Sequence, residues 1–196
     1  MSQSARVRSV LEGSIAGLLA WIVGYAITYA AVGSDVREGW VNRGLEFVTD
    51  EPATYEIVGW VFYNAHFVDT AFEGVPFLRS ANAIGGDGFT AALYLVPPGL
   101  LLVTGLAVAR YRGVTDATEG ILTGLAVVPG YLLASAVGVF LVEVSVGDAS
   151  GGPALLPALL LAGITIPVVF ATAGSLLGAL TAGSGSAVGA DADTSR

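Results

Sequence analysis

The sequence predicts an all-α integral membrane protein: four transmembrane helices, with an extracytoplasmic amphipathic helical cap between helices 1 and 2. Three observations lead there. Hydrophobic residues make up 54% of the 196-residue chain, charged residues 12%, and the mean hydropathy is +0.75. A soluble domain carries about 25% charge. Four segments each offer the ~20 mostly apolar residues that cross hydrocarbon as a helix. Charge gathers between the first two of them, where residues 33–90 hold nine acids against Arg37, Arg43 and Arg79.

The first span covers residues 14–32 (SIAGLLAWIVGYAITYAAV), behind Arg6 and Arg8. Its apolar run exceeds the 7–15 residues of a secretory core, so it reads as an uncleaved anchor. The second covers 91–109, the third 120–142, and the fourth 154–182, which is long enough to tilt or protrude. Together they define one membrane domain over 1–182. Residues 183–196 (GSGSAVGADADTSR) bury no apolar surface and are expected to form a disordered cytoplasmic tail.

Arginine sets the orientation. Arg6 and Arg8 precede the first span, and Arg110 and Arg112 follow the second. Placing both pairs inside puts both termini in the cytoplasm of a cell-membrane protein and residues 33–90 outside. A fifth span within 51–73 is the competing thread, and it reverses that arginine count.

The cap is read as two helices. Ser34 is expected to cap Asp35–Phe47, and Asp50 to cap a helix over 51–73, with Pro52 in its first turn and Gly74 and Pro76 as its stop. Along the second, Glu56, Gly59, Tyr63, His66, Thr70 and Glu73 make one stripe. Ile57, Trp60, Val61, Ala65, Val68 and Phe72 lie opposite. Such a helix lies on the outer leaflet or caps the bundle. A strand over 55–63 is the alternative, given its β-branched and aromatic content.

Within it, GWVFYNAHFVDTAF (59–72) crowds five aromatic residues around His66, the single histidine. Trp60, Tyr63, Asn64, His66 and Asp69 are the candidate interaction positions. His66 falls on the polar stripe near Asp69. It reads as a histidine bonded to a carboxylate at an interface, against the alternative of a ligand or pH-responsive group. Asn64 falls on the apolar face and must bond to a loop or to a spanning helix.

The remaining candidates are Pro97, Pro98, Pro129 and Pro167, which with Pro157 place interior prolines in spans two to four. Each frees a carbonyl and bends its helix. Carbonyls freed at mid-membrane bind cations in some transporters, although proline is also common in membrane helices. Small residues recur four apart, as in Gly120/Gly124 and Gly174/Gly178, and let helices approach within the bundle or between copies.

Several function classes are excluded or disfavoured. With no cysteine there are no disulfides, thiolate metal sites or cysteine nucleophiles. All eight basic residues are arginine against sixteen acids, a balance suited to concentrated salt and opposed to nucleic-acid binding. Spans without interior charge disfavour a carboxylate-driven antiporter. No enzyme signature and no cofactor or metal-ligand set is present.

The run GWVFYNAHFV between a first span and a proline-containing second one resembles uncharacterised multi-pass membrane proteins of halophilic archaea. Some of these carry the label transporter. The resemblance implies a membrane location and a high-salt setting, and it carries over no site residues. The function expected is a non-enzymatic subunit or scaffold of a membrane complex, or else a small oligomeric transporter or channel using its kinked helices. Its partners are the lipid bilayer and a second copy or an unidentified membrane protein.

Overall fold

The computed structural model describes residues 3–193, and side chains within 3–182 except those of Ala5 and Arg6. The expected tail lies outside the described side chains. Four helical stretches among the described residues are long and apolar enough to cross a membrane: Val7–Glu38, Ala91–Tyr111, Ala117–Leu141 and Leu155–Ala182. They follow from composition. Each is a long apolar run whose backbone groups bond within the helix, the only local arrangement hydrocarbon tolerates.

The first stretch lies in α1 (Gln3–Glu38). The second joins a 3₁₀ turn (Ala91–Leu95) to α4 (Val96–Tyr111). The third joins α5 (Ala117–Leu125) to α6 (Val128–Leu141). The fourth runs from one turn, α7 (Leu155–Pro157), through a π-helical segment (Ala158–Thr165) into α8 (Ile166–Asp193). Asp116 caps α5 by accepting from the Thr118 and Glu119 amides at 2.9 and 3.0 Å.

Between α1 and α4 lie α2 (Trp40–Thr49), α3 (Thr54–Asn64), β1 (Thr70–Glu73) and β2 (Ser80–Ala81). Between α6 and α7 lie β3 (Val144–Val146) and β4 (Ala149–Pro153). The strands form one antiparallel sheet in the order β2-β1-β4-β3, with Thr70 opposite Pro153 and Glu73 opposite Ser150. The all-α expectation is therefore corrected: the protein is mostly helical and carries a small sheet. The hairpin β3–β4 turns on Gly147–Asp148, with Gly147 at φ 60°, as a two-residue hairpin requires.

Other corrections concern the cap. Ser34 begins no helix, because α1 continues to Glu38 and the break falls at Gly39. Asp50 ends α2 in the left-handed region instead of starting the next helix. The expected helix over 51–73 stops at Asn64. The Val68 amide bonds back to the Tyr63 carbonyl and the Phe67 amide to that of Asn64, with Phe67 at φ 61°. This is a Schellman stop. It uses phenylalanine where glycine is usual, at about 1–2 kcal/mol for the left-handed residue. Stacking of Phe67 on Tyr94, with centroids 4.7 Å apart, helps hold it. The strand alternative for 55–63 also falls, since that segment is helical, and at 11 residues α3 is too short to be a fifth span.

The chain packs as two compact units. Among the described residues, one comprises 3–20, 98–131 and 166–193, the other Trp21–Pro97 and Leu132–Thr165. In the first unit, α4 and α8 meet backbone to backbone at Gly105 and Gly174, and α5 lies against α8 at Gly124. In the second, two cores are built around α3. One gathers Val32, Val36, Val58, Val61, Ile84 and Leu93, and the other Trp60, Tyr63, Val68, Val139 and Val142.

Candidate functional site

Helix α3 starts at Thr54, where the apolar residues of YEIVGWVFYNA begin, and nearly its whole circumference is buried. That explains its composition: a helix apolar all round belongs in a core. Four of the candidate positions therefore lie inside the second unit. Trp60 donates its indole N–H to the Val142 carbonyl at 2.7 Å and meets Phe72 edge-on at 5.8 Å. Tyr63 donates its hydroxyl to the Ser135 carbonyl, and burial holds its pKa well above the usual tyrosine value.

Asn64 organises the end of α3. Its amide donates to the Val68 carbonyl at 2.8 Å and, at 3.5 Å, to the Thr70 hydroxyl. Its carbonyl accepts from the Ala83 amide at 2.8 Å. The expectation that it bonds to a loop is met, since Ala83 lies between β2 and the 3₁₀ turn.

His66 is placed differently from its expected polar stripe. The stripe assumed a helix running on to Glu73, and the stop at Phe67 turns His66 inward to full burial. Its Nδ1 pairs with the Phe62 carbonyl at 2.8 Å, and its ring meets Phe62 edge-on at 4.7 Å. One partner of the ring is thus a backbone carbonyl. Asp69 is exposed, and its carboxylate accepts from Asn82 at 3.2 Å.

Burial lowers the His66 pKa to about 4, and the bond to Phe62 offsets only part of that. The ring is neutral at pH 7, so Nδ1 is the donor. The unfolded chain takes up this proton near pH 6.5, whereas the folded one does so near 4. The stability tied to the neutral ring is full above pH 6.5 and is lost as pH falls toward 4, by about 3 kcal/mol. His66→Gln is expected to flatten the unfolding midpoint between pH 6.5 and 4.5. An unchanged slope in the variant would assign the acid sensitivity to carboxylates.

The prolines lie within the apolar helical stretches, at joints between helical segments. Pro97 and Pro98 sit in the first turn of α4, Pro129 in the first turn of α6, and Pro167 in the first turn of α8 after the π segment. A proline at such a joint removes a backbone N–H and favours a change of helical geometry there. The boundaries between the two units fall beside them, at 97/98, 131/132 and 165/166. At the α5–α6 break, the freed Ala126 carbonyl accepts from the Ser14 hydroxyl at 3.5 Å.

Several groups have no signal in the sequence. Asn42, buried within α2, donates to the Arg37 carbonyl at 3.2 Å and accepts from the Thr54 hydroxyl at 3.3 Å. Among the described residues, the Trp21 indole N–H and the Ser135 hydroxyl are buried atoms without a hydrogen-bond partner. The β3–β4 hairpin does have a signal that the helical reading missed: the alternation EVSV before Gly147–Asp148 is a strand-and-turn pattern.

Two cavities adjoin this core. One, of about 280 Å³, is lined by α2, α3 and the 81–83 segment, and the other, of about 400 Å³, by α2, β1 and the β3–β4 hairpin. Trp40, Val41, Trp60 and Phe72 line both. Among the described residues, no group of three or more His, Asp or Glu side chains is placed to hold a metal.

Comparison with curated proteins gives no match, and neither does comparison with solved structures. The model of a family of unknown function, DUF7978, matches residues 1–182, and the chain belongs to that family.

Proposed function

We propose that the chain is a non-catalytic subunit or scaffold of a membrane complex, with residues 33–90 outside the cell and both termini in the cytoplasm. One observation carries this reading: the residues that would do chemistry hold the fold. His66, Asn64, Tyr63 and Trp60 are buried, and each bonds to a backbone group of its own unit. Large aromatic residues stand outside that frame, Phe77 fully exposed and Tyr55 mostly so. Exposed aromatics on a rigid support suit contact with a partner. The acid surplus argues against nucleic acid as that partner.

The test is native mass spectrometry after mild extraction in high salt. A stoichiometric foreign subunit is the expected result. A homo-oligomer free of other protein would move the reading to the alternative, a small transporter or channel. The observation favouring that alternative is the interruption of three apolar helices beside Pro97, Pro129 and Pro167, one of them by a π segment. Flux in liposomes would then be measured. Orientation is checked separately with single cysteines at the exposed Asp87 and Thr115. Impermeant maleimide on whole cells should label the first only.

A further inference from the structure

The two cavities share four wall residues, so they form one groove beneath α2. Val41, Gly44 and Leu45 line it from the helix, and Phe72, Val144 and Val146 from the sheet. Its volume is in the range of ligand sites. The chemistry of the walls selects the ligand. The amides in the lining are already engaged: Asn42 with Arg37 and Thr54, Asn64 with Val68 and Ala83, Asn82 with Asp69 and the Ile84 amide. A polar ligand would lose its hydration there and find few bonds in return. An alkyl chain has no polar hydration to lose and removes apolar wall from water.

The source of such a chain lies beside the groove. Helix α2 starts at Trp40, just beyond the first apolar helix, which ends at Glu38. Its outer face carries Trp40, Phe47 and Val48, all largely exposed. Their spacing of seven and eight residues puts them on one stripe, the pattern of a helix lying in a bilayer interface. Trp40 belongs to that face and to the groove wall, so the two surfaces are continuous. The helix is also lightly held. Among its residues only Asn42 is buried, and its N-terminus has no side-chain cap.

We propose that the groove beneath α2 binds one hydrocarbon chain of a bilayer lipid. The assignment is independent of whether the chain is a scaffold or a transporter.

The full-length protein would be placed in phosphatidylcholine vesicles carrying a diazirine at the end of one acyl chain, then photolysed, and the adducts mapped on peptides. Adducts on β1 and β3 are expected alongside those on the apolar helices. Gly44→Phe fills the groove from a position where a Cβ meets nothing within 4 Å. It should cut the strand adducts at least tenfold and leave the helix adducts as an internal standard. Gly44→Ala should keep them. If Gly44→Phe also loses the helix adducts, it has misfolded, and Val146→Trp fills the same space from the sheet. Strand adducts that are absent in the wild type, or that persist in folded filled variants, would overturn the assignment. So would labelling by a photoactivatable free fatty acid without any by the phospholipid.

Discussion

Gly174→Val is expected to remove the folded state of the first unit under conditions where the wild type is stable. A Cβ at Gly174 would run into the backbone of α4 at Leu102, and one at Gly105 into the backbone of α8 at Ala171. The contact is reciprocal. The obstructing atoms are main-chain atoms inside helices, which cannot turn aside as a side chain can. The two helices must separate, and every contact along their shared face weakens. Overpacking of this kind costs about 3 kcal/mol or more, which corresponds to a midpoint lower by roughly 6–12 °C for a chain of this size. Thermal unfolding in nanodiscs, followed by loss of the monodisperse species, reads it. Gly99→Ala is the control: it lies in the same α4, and nothing stands within 4 Å of its Cβ. That change should be neutral or slightly stabilising. Equal loss in both variants would mean that the damage is not specific to the α4–α8 crossing.

Asn64→Leu is expected to open the cap. Leucine keeps the branched outline, though it is bulkier, and supplies neither donor nor acceptor. The Val68 carbonyl and the Ala83 amide each lose a bond of 2.8 Å. An unpaired backbone group in such a place costs about 1–3 kcal/mol, so the two together cost about 2–6. Val68 is fully buried, and Asn64 itself is 1% exposed, so water does not readily replace the partner lost by the Val68 carbonyl. The effect should be local. The Trp60 environment should become accessible to a soluble quencher at lower urea, while far-ultraviolet ellipticity from the apolar helices persists. Asn64→Asp keeps the acceptor for Ala83 and should fall between the two. A Leu variant with wild-type quenching would show that the Schellman stop holds without this side chain.

The contrast between these two sites separates what was legible from what was not. The apolar helices could be read directly, because hydrocarbon leaves a backbone no partner but its own. Composition over ~20 residues then decides the structure without reference to anything distant. The glycines at four-residue spacing were legible for the same reason, as one face of one helix. The cap obeys other rules. Its helix was expected to reach Glu73 because no glycine or proline intervenes between Gly59 and Gly74. It stops at Asn64, through a phenylalanine in a conformation that residue rarely adopts.

The gain that makes this stop favourable comes from elsewhere in the chain. Thr70–Glu73 pairs with the distant strand Ala149–Pro153, and Ala83 returns to bond Asn64. No local pattern encodes such pairings. The inward turn of His66 follows from the same stop, so its burial and its low pKa were beyond reach of a helical projection. The prolines show the same division. Their identity announced interruptions in the apolar helices, but only the structure put those beside the boundaries of two compact units.

The sequence by itself thus determined the number of apolar helices, the acidic segment between the first two, and the lack of any cysteine or lysine chemistry. Those depend on composition and on hydrogen bonds a few residues long. Only the tertiary structure decided where α3 ends, that a sheet exists, that Asn42, Asn64 and His66 are buried, and that α2 stands over a groove. Each of these rests on a contact between distant segments, where a local cost at one residue is offset by a partner the local sequence does not contain.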